Sequence, residues 1–418
     1  VKNDPPSLRD VLFLIGVIAL GVALAIGWVT LNYELAKRYG SGAEILPVWY
    51  GVRAFLVERV DPYGLAVAEQ IQRAVYGRPA RLGEFPFALD IPFPLLLLFF
   101  PLAPIPDPLW GRAAWMTLSQ AGVVLLALLP FRILEWRPAP WLIALLIGFA
   151  LFWSYSLEAF WSSSFSVVLT LLLLQAFLLM YEGNDELAGI LLAVSAMKWE
   201  YTALLWALLL LVVWITKRWR VVVGLAMGWL VLGAASFLIN PGWLWPYLRA
   251  VAVNWRADAW LNTHSFLAEW FPRSAEPLTW LITALLLLLL LLEWFAAVRH
   301  SEAPRLLWSL GLGVAITPLI GLPTGPAHVA PLIFSLSVAI PFAWLRWDRF
   351  ANGLIAGMVL LFFVLPWLAT WFFVGIYAQV VRLFLPSLLL LLLLYWVRWY
   401  VVRPPRTWLD HVRRTLRR

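Results

Sequence analysis

Residues 33–91 concentrate acids, arginines, prolines and aromatics in a chain that is otherwise largely apolar, and Glu44 and the run Asp61-Pro62-Tyr63 stand out among them. A carboxylate within hydrogen-bond reach of a hydroxyl can take its proton as the oxygen attacks, a contribution typically worth ~10²–10⁴ in rate. Lys198, His264, His328 and a loop arginine such as Arg53 are groups that stabilise negative charge developing on a leaving group where water is scarce. One base acting on a direct displacement inverts the reacting centre, whereas retention through a covalent intermediate needs a second, closely spaced carboxylate. Each residue also has a plainer reading. Glu44 can be a solvated loop acid, the histidines can be interfacial hydrogen-bonders, and Asp61 can make a turn or a helix start, since aspartate caps well ahead of proline at a first helical position. No two of the four histidines are close in sequence, and no His-Glu-x-x-His, nucleotide-loop or dinucleotide motif occurs, so no metal site and no required cofactor are expected, with dependence on a divalent ion left open.

The elements that must position these residues are membrane helices. With 63% hydrophobic residues, 13% charged residues and a mean hydropathy of +0.84, no soluble core could hide the apolar surface. Thirteen apolar runs with few or no charges recur along the chain, the first at 11–31, without the alternation of barrel strands, and lipid leaves helices as the only other spanning solution. The first run has no small-residue cleavage pattern after it and is expected to be a retained helix. The absence of cysteine excludes disulfides, thiolate metal sites and cysteine nucleophiles.

Arginine placement sets the expected orientation. Short basic connections at Arg132/Arg137, Lys217–Arg220, Arg299/Arg305 and Arg346/Arg349, and a tail (398–418) with seven arginines against Asp410 alone, should face the cytoplasm. Both termini inside require an even number of crossings. The run 91–106, with five prolines, is therefore expected to be re-entrant or short, leaving about twelve transmembrane helices in one integral membrane domain, residues 1–418. Two large loops containing short helices, 33–91 (catalytic) and 240–276, then lie outside. So do 158–163 with Glu158, 198–200 with Lys198 and Glu200, 324–327 before His328, and 374–382. A charge near membrane depth costs at least ~2.5–3.5 kcal/mol on insertion scales, which points to a polar cavity around Lys198 and Glu200, or else to the interfacial turn of a helical hairpin. Most of the 28 tryptophans should be interfacial anchors, such as Trp141, Trp219 and Trp396, while Trp243, Trp245, Trp255 and Trp260 could stack on a ligand ring.

The stretch from Glu44 through Trp49-Tyr50, Val52-Arg53-Ala54 and Asp61-Pro62-Tyr63 resembles the first outer loop of the polyprenol-phosphate mannosyltransferases of glycosyltransferase family 87, in the GT-C superfamily. Further similarities follow in order: the proline-rich run 92–104, the polar turn 158–164, Lys198 ending a short helix, Asn262-x-x-Ser265 in the second large loop, and a late turn leading to His328. The resemblance spans about residues 10–335. This chain departs from the family pattern in having glutamate rather than aspartate at position 44, Trp199 rather than proline after the lysine, and Thr324-Gly325 where a Ser-Trp pair is usual.

The resemblance implies an all-α, GT-C-like multi-pass enzyme of an inner or plasma membrane. It would transfer a sugar, mannose by family default, from a polyprenyl-phosphate carrier to a glycan or glycolipid hydroxyl on the extracytoplasmic side, with inversion. Glu44 is then the candidate base with Asp61 as the other catalytic acid, and Arg53, Tyr63, Glu158, Lys198, Asn262, His264, Ser265 and His328 are candidate substrate ligands. Membrane lipids are expected partners and nucleic acid is not, since six of the eight excess positive charges lie in the tail. A transporter would show internal repeats, which this chain lacks, and a non-catalytic scaffold would show a closed outer face with no pocket near Glu44.

Overall fold

The computed structural model describes residues 8–40, 42–256, 262–300, 302–320, 322, 325–347 and 350–402, which are helical with no strand among them. In chain order the α-helices are α1 (Leu8–Arg38), α2 (Ile45–Arg53), α3 (Leu65–Tyr76), α4 (Phe93–Leu96), α5 (Pro108–Ile133) and α6 (Pro140–Phe152). They continue with α7 (Ser154–Ser162), α8 (Ser166–Glu182), α9 (Asp185–Ser195), α10 (Trp199–Thr216), α11 (Trp219–Ile239) and α12 (Leu244–Arg256). The last six are α13 (Thr263–Trp270), α14 (Ala275–His300), α15 (Ala303–Ile316), α16 (Leu332–Arg346), α17 (Ala351–Phe372) and α18 (Ile376–Val402).

Among the described residues, 8 helices are long and apolar enough to cross a membrane, and up to 9 if α6 and α7, bent by 49°, make one broken span. The protein is thus a multi-pass membrane protein. The 8 account for eight of the twelve runs expected to cross. The other four are the bent α6–α7 pair, α8 with 17 residues, α9 with 11 and α15 with 14. Apolar composition marks a run, but at 1.5 Å per residue an 11-residue helix reaches only about 16 Å. The proline-rich run forms α4 and a 3₁₀ turn, Leu97–Leu102, too short to cross, in line with its expected re-entrant or short character.

The interior is organised on α16, whose span is the most deeply buried and which packs against α5, α15 and α18. Three tryptophans that the sequence did not single out are core members that satisfy their indole N–H across helices, as buried Trp usually does. Trp153 donates to the Phe362 carbonyl (2.8 Å), Trp294 to Leu208 (3.0 Å) and Trp308 to Leu394 (2.9 Å). Trp141, Trp219 and Trp396 are exposed, as anchors should be. The lipid-facing α1 is joined to α5 by polar contacts: Asn32 Nδ2 donates to Thr117 Oγ1 and Gln120 Oε1 (both 2.8 Å), and Tyr33 Oη donates to Asp107 (2.8 Å). The α9–α11 contact is closer than any side chain allows. A Cβ at Gly189 would stand 2.1 Å from the Val221 carbonyl oxygen, and one at Gly224 2.1 Å from that of Glu186.

Contacts sort the connections to two ends. The Glu44 amide donates to the Ser162 carbonyl (3.2 Å), Lys198 pairs with Asp90 (2.5 Å), Asn254 bonds Ala88 (2.7 Å), and Arg382 pairs with Glu158 (3.3 Å), so every connection expected outside is tied into one end. His328 joins them beside Glu44 (3.9 Å). At the other end basic connections and the start of the tail meet: Trp136 packs on Trp344 (5.7 Å between ring centroids), Arg346 donates to the Trp396 carbonyl (2.9 Å), and Arg398 pairs with Glu293 (2.7 Å), while Arg218 of the Lys217–Arg220 connection donates to Asp185 (3.0 Å). Arg349 and the tail beyond residue 402 lie outside the described residues. We expect cysteines replacing Leu82 and Arg273 in this cysteine-free chain to react with an impermeant thiol reagent on intact cells, and one replacing Glu302 to react only after permeabilisation. Labelling of the Glu302 variant from outside would reverse the orientation.

Candidate active site

Glu44 is placed by the helix it precedes. Most of α2 is buried, and Ile45, Val48 and Val52 pack in a satellite core with Leu89, Ile91 and Phe93. Gly51 permits this: a Cβ there would stand 2.6 Å from Leu89 Cδ2, so its absence lets the 89–91 segment, and with it Asp90, lie directly on α2. Glu44 Oε2 accepts the Phe165 N–H (2.9 Å) at the turn opening α8, and Ser163 reaches that turn in the left-handed region (φ +54°). Beneath the turn, the buried Arg112 of α5 donates to the carbonyls of Ala36 (3.0 Å), Tyr39 (2.9 Å) and Trp161 (2.9 Å), fixing the end of α1 against the end of α7.

Glu44 is therefore not a solvated loop acid: its side chain is only 14% exposed, with Oε1 3.9 Å from His328 Nε2. His328 Nδ1 accepts the Gly325 N–H (3.0 Å), so in the neutral imidazole the proton sits on Nε2, facing Glu44. Its ring lies 4.1 Å from that of Tyr201. Burial pushes the Glu44 carboxyl up, but the neighbouring His328, then Lys198 and the Phe165 amide, more than offset it and hold the pKa below the ordinary carboxylate value.

Lys198 does sit in the turn of a helical hairpin, between α9 and α10, and it is buried there. Its ammonium lies 2.5 Å from Asp90 Oδ1 and 3.9 Å from Glu200 Oε1. Asp90 Oδ2 in turn accepts from Asn254 Nδ2 (3.1 Å), and Asn254 also brackets Ala88 through its backbone N–H (3.1 Å) and C=O (2.7 Å). Glu44, Lys198 and His328 line one cavity of about 280 Å³ together with Asp90, Tyr201 and Asn254. The remaining walls are mostly apolar, including Pro47, Phe85, Phe87 and Pro326.

The other candidates lie elsewhere. Asp61 is exposed, accepts the Tyr63 N–H (3.1 Å) in a tight turn, and borders a separate cavity with Arg59 and Trp243. It caps no helix, because α3 starts after Gly64. Tyr63 Oη donates to the Ile91 carbonyl (2.9 Å), and Arg53 lies 3.9 Å from Glu58. Glu158 faces Arg382, whose carbonyl accepts from Tyr155. Asn262 and Ser265 form a capping box at the start of α13, and His264 is exposed on that helix. Trp255 stacks on Trp199 (5.2 Å), and Trp260 and Thr324 fall outside the described residues. Sequence reasoning did not single out Asp90, Tyr201 or Asn254. The available signal was Asp90 immediately before a lipid-depth run and Asn254 between apolar residues on an amphipathic helix. Among the described residues no group of three or more His, Asp or Glu side chains is arranged to hold a metal ion.

Comparison with protein-family models, with curated proteins and with solved structures finds no match.

Proposed function

We propose that this chain is an integral membrane glycosyltransferase of the GT-C kind, with about twelve crossings. It transfers a sugar from a polyprenyl-phosphate carrier to an acceptor hydroxyl on the extracytoplasmic face, with inversion. The observation that carries this reading is the shared cavity: a buried Glu44 and a buried Lys198, far apart in sequence, open onto one space whose other walls are mainly apolar. That combination suits a ligand with an anionic head and a hydrocarbon part. A pocket at Glu44 also speaks against a scaffold with a closed outer face.

In this reading Glu44 takes the proton of the acceptor hydroxyl as the bond to the sugar forms, and Lys198 stabilises the phosphate that leaves. His328, with Nε2–H toward Glu44, orients the carboxylate and favours its charged form. A single carboxylate at the cavity's reactive end matches direct displacement provided Asp90 stays engaged with Lys198 or Asn254.

The test is transfer from synthetic polyprenyl-phosphate sugars by the purified chain in lipid nanodiscs. Lys198→Ala should raise the donor KM by about tenfold or more, the loss of one charge-assisted contact, while Lys198→Arg should recover part of it. An unchanged KM and kcat in folded Lys198→Ala would return the lysine to a structural role.

A further inference from the structure

We infer that Asp90 is a displaceable counter-ion that occupies, in the unliganded protein, the place on Lys198 that a phosphate ester takes when it binds. This rests on the lipid-phosphate reading of the cavity and adds to it what controls access of the anion.

Three carboxylates, Glu44, Asp90 and Glu200, surround one lysine and one histidine. An anion arriving at Lys198 in that arrangement meets excess negative charge and an ammonium already engaged at 2.5 Å. Asp90 is the carboxylate best placed to give way. Glu44 is fixed by the Phe165 amide and Glu200 stands 3.9 Å off, whereas Asp90 lines the cavity and keeps 21% of its side chain exposed. Nor does its departure unfasten the segment that carries it. Asn254 holds that segment through both backbone groups of Ala88, and Leu89 is locked on Gly51. Asp90 therefore has a pivot on each side of a side-chain movement. When it leaves Lys198, Asn254 Nδ2 remains as a donor for either the displaced carboxylate or the incoming ester.

The chemistry asked of the ligand is a phosphate monoester or diester, and the apolar walls Pro47, Phe85, Phe87 and Pro326 favour one borne on an isoprenoid over free phosphate. Binding of farnesyl phosphate, farnesol and inorganic phosphate to the full chain in nanodiscs separates these sources. Asp90→Asn should tighten farnesyl phosphate about tenfold, by freeing the ammonium and removing one like charge, and leave farnesol unchanged. Inorganic phosphate should bind far more weakly than farnesyl phosphate to both proteins. Because Lys198→Met alone leaves buried carboxylates unpaired, the decisive comparison adds the double variant Lys198→Met/Asp90→Asn, in which both charges go together. There the gain over Lys198→Met should fall within about twofold, since no ammonium remains to be released.

An unchanged or weaker affinity in Asp90→Asn overturns the inference. So does an equal gain with and without Lys198, which would show only a through-space effect of charge. Equal gains for farnesol would do the same, and so would inorganic phosphate matching farnesyl phosphate. Sugar transfer is not measured in these arms. A protein that shows the Asp90 effect but no transfer from any donor would sink the glycosyltransferase reading and leave the counter-ion standing.

Discussion

Glu44→Gln should lower kcat for sugar transfer by ~10²-fold or more with donor binding little changed, because glutamine keeps the side chain's size and can still accept the Phe165 N–H but cannot take a proton. Glu44→Asp should keep partial activity, since it retains the carboxylate and withdraws it by one methylene. The pH dependence gives a second check. With its pKa held below the ordinary carboxylate value of 4.5, Glu44 is fully ionised at neutrality and protonates only as the pH falls through that lower value. The acid limb of kcat/KM that Glu44 sets therefore lies below pH 4.5 in the free enzyme and disappears in Glu44→Gln. The measurement is transfer by monodisperse variants from a synthetic donor. Full activity of Glu44→Gln would remove Glu44 as the base and make Asp90, which shares the cavity, the next candidate, ahead of Asp61, which lines a different one.

The separation of Asp61 from Glu44 shows how the sequence informed the site and where it stopped. Apolar runs identify membrane helices because lipid imposes one requirement, the burial of backbone hydrogen bonds, and composition alone reports it. Arginine placement gave an expected grouping of the connections for a similar reason, as charge is a local property. Convergence is not local. Lys198 was legible as a charge near membrane depth, Glu44 as an outer-loop acid and His328 as a polar residue after an outer turn, and the contacts bring all three together. Asp61, Glu158, Asn262, Ser265 and His264 had the same kind of signal, but their partners are a turn amide, Arg382, a capping box and solvent. Asp90 and Asn254 meet across 164 positions of sequence, and nothing in either segment announces the other. Buried Trp153, Trp294 and Trp308 were hidden for a related reason: an indole at an interface and one bonded to a carbonyl across helices look alike until the second helix is placed.

Gly224→Leu should yield no monodisperse protein, and Gly224→Ala should lower the Tm markedly, whereas Gly233→Ala on the same helix should not. The contrast comes from what a Cβ meets. At Gly224 it falls 2.1 Å from the Glu186 carbonyl oxygen and 2.8 Å from its carbon, both backbone atoms of α9; at Gly233 nothing lies within 4 Å. Gly228 completes a Gly-x-x-x-Gly face on α11, opposite Gly189 and Ala193 of α9, where a Cβ on Gly228 would stand 3.0 Å from that of Ala193. Without a hydrophobic drive between helices in lipid, such small-residue faces let dispersion and close backbone contact hold the pair. A methyl inserted there must push whole helices apart, because no side chain can rotate away, and overpacking of this kind costs about 1–3 kcal/mol or more. The effect should reach the site as well. α9 runs directly into the turn that carries Lys198, and its C-terminal residues cannot shift without moving the ammonium relative to Asp90. Gly224→Ala should therefore raise the donor KM at a temperature where the variant is still folded. A stable Gly224→Ala variant with wild-type Tm and KM would mean that α9 and α11 do not make this contact in the membrane.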